Sequence, residues 1–109
     1  GTPGGGSGGG LGLSPGQRVD QPPRVLSQVK PRYPSVARKL NKSGVVTLKF
    51  LVDGQGQPTQ LTVLEAPPGG FFERSALEAV ARWRFEPARL HGKKVPVWMI
   101  LPVRFVLEK

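Results

Sequence analysis

The sequence predicts an α+β two-layer sandwich, with two helices on one face of a three-stranded antiparallel sheet, in the order helix, strand, strand, helix, strand. Three stretches carry that prediction. From Val95 to Leu107 the residues Val95, Val97, Met99, Leu101, Val103, Phe105 and Leu107 fall on one face of an extended chain, and all are apolar. Val46, Leu48, Phe50 and Val52 repeat the period of two, and the Asp53-Gly54-Gln55-Gly56 turn leads into a second alternating run at Leu61 and Val63. Phe72, Ala76, Ala79, Val80 and Trp83 follow instead the spacing of one helical face.

In chain order, nine of the fifteen glycines fall between Gly1 and Gly16. That stretch has almost nothing to bury, so residues 1–24 read as a disordered Gly/Pro-rich linker or a cloning remnant, and residues 25–109 as the folded domain. Val25 to Lys30 is short, mixed and followed by Pro31, the pattern of an extended arm. Tyr33-Pro34 opens the first helix, because a proline's missing N–H is not needed there. Val36, Ala37 and Leu40 give this helix a narrow apolar stripe, and Ser43-Gly44 closes it with Gly44 as the left-handed cap. The first strand is free of proline and has a clean apolar face, which makes it the natural centre of the sheet. The second and last strands then flank it as edges. Pro67-Pro68-Gly69-Gly70 interrupts the chain. The main helix is expected from Phe71 to Phe85, with Glu73 near its start and Arg82 and Arg84 near its end matching the macrodipole, and Pro87 stopping it. Trp83 lies on its buried face. Ala88 to Lys94 reads as a basic loop carrying the single histidine, His91.

The last strand carries the functional signal. Its second face holds Pro96, Trp98, Ile100, Pro102, Arg104 and Val106. Residues two apart in a strand point their N–H groups to the same side, so both missing proline donors lie on one lateral edge. Prolines are tolerated on edge strands and not in central ones. Trp98 and Ile100 remain as a short window of donors, with Arg104 beyond. Another chain can add a strand at such an edge. Trp98 fits either a binding anchor or a packing contact with the N-terminal arm.

Composition and residue inventory weigh against other classes. The chain has 109 residues and a formal charge of +9, with 16 Lys plus Arg against 7 acidic residues. Its basic residues are scattered over every segment, with no recognition helix and no aromatic-basic strand pattern, so nucleic acid is not an expected partner. There is no cysteine, and with one histidine a metal site would need carboxylates alone. No metal or cofactor is therefore expected. Ser75, His91 and Asp53 are the candidates for a Ser-His-Asp set. Ser75, however, sits mid-helix without a nucleophile elbow, and His91 sits in an exposed loop, so no catalytic residue is expected and the protein does not read as an enzyme. No apolar run reaches the roughly 18 residues that span a bilayer. A protein of this kind working in an envelope would take its targeting segment from outside this chain.

Several of these stretches together resemble the TonB C-terminal domain family. They are Tyr33-Pro34 before a short helix, Gly44-Val45-Val46-Thr47-Leu48-Lys49-Phe50 with the Asp53-Gly54 turn, and Phe72-Glu73-Arg74-Ser75-Ala76. Trp83-Arg84-Phe85-Glu86-Pro87-Ala88, Val95-Pro96-Val97-Trp98 and Val103-Arg104-Phe105 complete the set. The match runs from about Lys30 to Leu107, and its most specific part is the Trp-Arg-Phe-Glu-Pro run followed by the last strand. Pro58 departs from the family at the start of the second strand and predicts a shortened strand there. The resemblance implies a periplasmic domain, anchored to the inner membrane through a segment absent from this chain. It implies capture of a short extended segment of an outer-membrane transporter, the TonB box, by strand addition to the last strand, with energy drawn from a proton-driven inner-membrane motor. The implied contacts are Val97, Trp98, Met99, Ile100, Leu101 and Arg104 on the strand, with Ser27, Gln28, Val29 and Lys30 just before Tyr33-Pro34. An edge of this kind also admits weak homodimerisation. TonB-like domains serve other trans-envelope machines too, motility complexes among them, and the Gly-rich start, unlike a Pro-Lys linker, keeps that alternative open.

Overall fold

The computed structural model describes residues 10–107. Its elements are β1 (Gly12–Leu13), β2 (Arg24–Ser27), α1 (Ser35–Lys39), β3 (Gly44–Val52), β4 (Pro58–Glu65), α2 (Glu73–Ala81), β5 (Arg84–Glu86), β6 (Ala88–Leu90), β7 (Lys93–Val95) and β8 (Val97–Phe105). The main sheet has the order β1-β8-β3-β4, and every pairing in it is antiparallel. As the alternation predicts, β3 lies between β4 and β8. Its apolar face, Val46, Leu48, Phe50 and Val52, is fully buried. Val97, Met99, Leu101, Val103 and Phe105 of β8 join the same core, and so do Ala37 of α1 and Ala76 and Val80 of α2. Both helices therefore cover one face of the sheet. Phe72 stacks on Phe105 with ring centroids 4.6 Å apart, and Tyr33 meets both rings edge-on.

The expected three-stranded sheet is corrected to four strands, because Gly12–Leu13 pairs with β8 on the side away from β3. Two residues in a glycine-rich stretch have no periodicity to read, and only the partner strand makes them a strand. The expectation of a linker over residues 1–24 did not anticipate this segment; its first nine residues lie outside the described ones. The arm expected at Val25 to Lys30 contributes β2, which pairs with β5 at Arg24↔Glu86 and Val25↔Phe85. The basic loop expected at Ala88 to Lys94 is a hairpin, β6 against β7, turned by His91 and Gly92, both at positive φ.

The main helix is shorter than expected. It ends at Ala81, the backbone N–H groups of Arg82 and Trp83 bond back three residues to Ala79 and Val80, and Phe85 belongs to β5. Pairing with β2 and the bond from Phe85 N–H to the Gly56 carbonyl draw this segment out of the helix before Pro87 is reached. Trp83 is thus corrected from a fully buried helix-face residue to a half-buried one beyond the helix. Its indole N–H donates to the Val29 carbonyl at 3.0 Å. In α1 only Ala37 is buried, while Val36 and Leu40 are exposed, because a helix of five residues presents little more than one inward position. The left-handed residue after α1 is Asn41 (φ 56°), not Gly44, which begins β3. Pro58 does not remove the start of the second strand. It is the first residue of β4, buried and opposite Val52, at the one strand position where a missing donor costs nothing. Gly56, at φ +82°, is required by the turn: a Cβ there would lie 1.8 Å from the Phe85 carbonyl oxygen.

Candidate functional site

The candidate site is the lateral edge of β8 that faces away from β3. Along β8 the core-facing side chains of Val97, Met99 and Leu101 are buried, while Trp98 and Ile100 are half-buried on the opposite face and Arg104 is exposed. The Trp98 carbonyl accepts from the Ser14 N–H at 2.9 Å, and the Trp98 N–H donates to the Gln17 side-chain oxygen at 3.0 Å. Both backbone groups of Trp98 thus point away from β3, as the spacing of the prolines predicts. Gly12 stands opposite Ile100 and Leu13 opposite Met99. The expectation that this edge is open is therefore corrected between Trp98 and Ile100: the chain's own N-terminal segment lies along it. Lys49 holds its ammonium 5.3 Å from the centre of the Trp98 ring, a cation–π contact on the outer face of the sheet.

The residues expected to assist this edge are only partly gathered around it. Ser27 belongs to the β2–β5 ribbon, the Val29 carbonyl is held by Trp83, and Gln28 lies exposed between them. None of these three is paired to β8. Lys30 and Arg104 line one cleft of about 440 Å³, together with Tyr33, Arg38 and Phe105. Arg38 stacks its guanidinium over Tyr33 there, 5.2 Å from the ring centre. The residues that sequence reasoning missed are Leu11, Leu13, Ser14 and Gln17. Leu11 and Leu13 pack against the core, and Ser14 is buried. A signal for them was present: Ser14-Pro15-Gly16-Gln17 has the proline and glycine of a type II turn, preceded by leucines two apart. The turn forms, with Gly16 at φ +87° and the Gln17 N–H on the Ser14 carbonyl.

The Asp53 and Ser75 side chains of the hydrolytic candidates are used by local structure, and His91 is held through its backbone. Asp53 accepts the backbone N–H groups of Gln55 and Gln57 at 2.9 Å each, which fixes the turn between β3 and β4. Ser75 donates to the Arg32 carbonyl, and the backbone N–H of His91 donates to the Asp20 carboxylate at 2.6 Å. Glu86 carries a perturbed acidity. The hydrogen bond and charge of Arg24, 2.8 Å away across the β2–β5 ribbon, hold its carboxyl below the usual carboxylate range. Among the described residues no helix is long and apolar enough to cross a membrane.

The fold defines the class first: a small α+β domain with both helices on one face of an antiparallel sheet, whose last strand carries a proline-bounded outer edge. A family profile described as the Gram-negative bacterial TonB protein C-terminal matches residues 29–107, and the chain belongs to that family. It is similar to the protein TonB of Vibrio cholerae, 39% identical over 90 residues that cover 83% of this chain and 37% of that protein. It is also similar to the protein TonB of Escherichia coli, 40% identical over 62% of this chain and 28% of that protein. Among solved structures, the solution structure of the Pseudomonas aeruginosa TonB C-terminal domain superposes with a TM-score of 0.70 at 32% identity. That match covers 83% of this chain and 91% of that one. The TonB2 protein of Vibrio anguillarum gives 0.61 at 32% identity, over 90% of this chain and 91% of that one. The chain spans about a quarter to two fifths of the length of these curated relatives.

Proposed function

We propose that this domain works in the periplasm as the receptor-engaging end of a TonB-type energy transducer. It captures a short extended segment of an outer-membrane transporter by strand addition along β8 and passes on force from a proton-driven motor of the inner membrane. One observation carries the reading: between Pro96 and Pro102, the outward backbone groups of β8 already hold another segment of chain in strand register. Trp98 and Ile100 supply the ladder. Val97, Met99 and Leu101 supply the buried floor that holds it straight, and Arg104, with Lys30 across the cleft, supplies positive charge beyond it. Each ladder bond adds roughly 0.5–1.5 kcal/mol net, so a window this short gives weak and reversible capture, which suits a transducer that must engage and release. Pro96 and Pro102 also blunt the edge against indiscriminate pairing.

Titration with a TonB-box-like peptide from an outer-membrane transporter tests this, comparing the protein with Ile100→Pro. The substitution removes one outward donor and leaves the buried face of β8 unchanged. Saturable binding to the parent chain that is lost in Ile100→Pro, with the Val46 and Phe50 resonances unmoved, is expected. Equal binding to both forms, with the largest shifts between Thr59 and Glu65, would overturn the edge assignment.

A further inference from the structure

We propose that the segment from Leu11 to Gln17, a short strand followed by a turn, occupies the partner edge of β8, so that capture of a partner is an exchange of one strand for another. This rests on the reading of β8 as the capture edge and adds to it the competitor and the pattern a partner strand must match. The segment fits the window between the two prolines. Its ladder starts at Gly12, opposite Ile100, and continues through the Ser14 N–H to the Trp98 carbonyl. The Ser14-Pro15-Gly16-Gln17 turn then ends the strand before it reaches Pro96, which has no donor to offer. The same turn brings the Gln17 side chain back to accept the Trp98 N–H, the last outward donor of the window. Leu13 stands opposite Met99, and with Leu11 it packs against the core, whereas Gly12 stands opposite Ile100 and Ser14 bonds through its N–H to Trp98. The segment from Gly10 to Gln17 carries no charge, and it is tethered downstream where Asp20 and Gln21 bond to Arg89.

The same geometry makes the strand displaceable. It is two residues long, one of them glycine, and both leucines are only half-buried. Glycine loses the most backbone freedom on ordering, so an incoming strand with fewer glycines pays less entropy for the same ladder. A competent partner is an extended segment with apolar side chains two apart, meeting the places of Leu11 and Leu13, and small residues between them. Because the edge is free only in the released fraction, partner affinity falls by that fraction.

Amide exchange on the whole chain, without any partner, tests the occupancy. In the parent protein the Trp98 and Ile100 amides are expected to be protected. Leu11→Ser with Leu13→Ser should speed both by about tenfold or more and leave the Leu48 and Phe50 amides unchanged. Gln17→Ala, which touches no apolar contact, should speed Trp98 alone. A synthetic peptide of residues 10–18 added in trans should shift Trp98 and Ile100 of the double variant, and the parent several-fold less. Equal exchange at Trp98 and Ile100 in parent and variants, or equal shifts by the peptide in both, would overturn the proposal. These readouts contain no transporter segment. A TonB-box-like peptide that binds neither form would therefore count against the proposed function and not against the internal strand.

Discussion

Gly56 shows how much of this architecture rests on single residues. It sits at positive φ under the start of β5, and its carbonyl accepts the Phe85 N–H at 2.8 Å. Gly56→Ala combines a left-handed conformation, about 1–3 kcal/mol for a non-glycine, with a clash against backbone that cannot rotate away. Chemical denaturation should show a loss at or above the top of that range; a loss below about 1 kcal/mol would mean that the turn and β5 can separate. Trp83 makes a smaller demand. A fully buried aromatic truncated to alanine costs roughly 3–5 kcal/mol, and Trp83 is half-buried with one indole bond to Val29, so Trp83→Ala should cost about 2–3 kcal/mol. The resonances of Val25 to Val29 should move with it, because that bond holds the arm; unmoved resonances would separate Trp83 from it. Pro102→Thr restores a donor at the far end of the window. It should lengthen the usable edge and raise either peptide affinity or concentration-dependent dimerisation in sedimentation. No change in either would mean that Pro102 does not limit the ladder.

At the scale of elements, what was legible depended on length and periodicity. β3 and β8 run nine residues each with strict alternation, and the buried positions of α2 repeat at helical spacing, so their faces could be read directly. β2 and β5 have four and three residues and exist because each pairs with a distant segment, whereas β6 and β7, three residues apiece, pair with each other across a two-residue turn. Arg84-Phe85-Glu86 continues a helical pattern until β2 and Gly56 are known to lie beside it, so the helix end was misread for a nonlocal reason. The outward donors of β8 were legible from two prolines, while their occupant was not, because a type II turn after two leucines marks a chain reversal without saying which strand the segment pairs with. The β2–β5 ribbon also has a pH dependence with a definite sign. Glu86 has a lowered carboxyl pKa in the folded chain, so its pairing with Arg24 stabilises at neutral pH, above the ordinary carboxylate range. That contribution is lost as pH falls through the lowered value. Both groups are exposed and screened by solvent, so the effect is small. The stability difference between the parent and Glu86→Gln should be present at neutral pH, shrink in high salt and vanish in acid. A difference that grew on acidification would reverse the assignment.

At the scale of the whole molecule, the parts divide by task. β3, the inward face of β8 and the two helices make the core, and that core holds a straight strand whose outer backbone groups pair with the segment at Gly12–Leu13. Under the proposed function, the prolines limit partner pairing to a short window, and the segment from Leu11 to Gln17 is what a partner must displace. The central claim is that a partner pairs with β8 at Trp98 and Ile100. Intermolecular nuclear Overhauser effects between the isotope-labelled protein and an unlabelled TonB-box-like peptide test it most directly. The account predicts backbone contacts from the peptide to Trp98 and Ile100, with those from Gly12 to β8 weakening as the peptide is added. A bound peptide whose contacts fall on β4, with the Gly12 to Ile100 pairing intact, would contradict it.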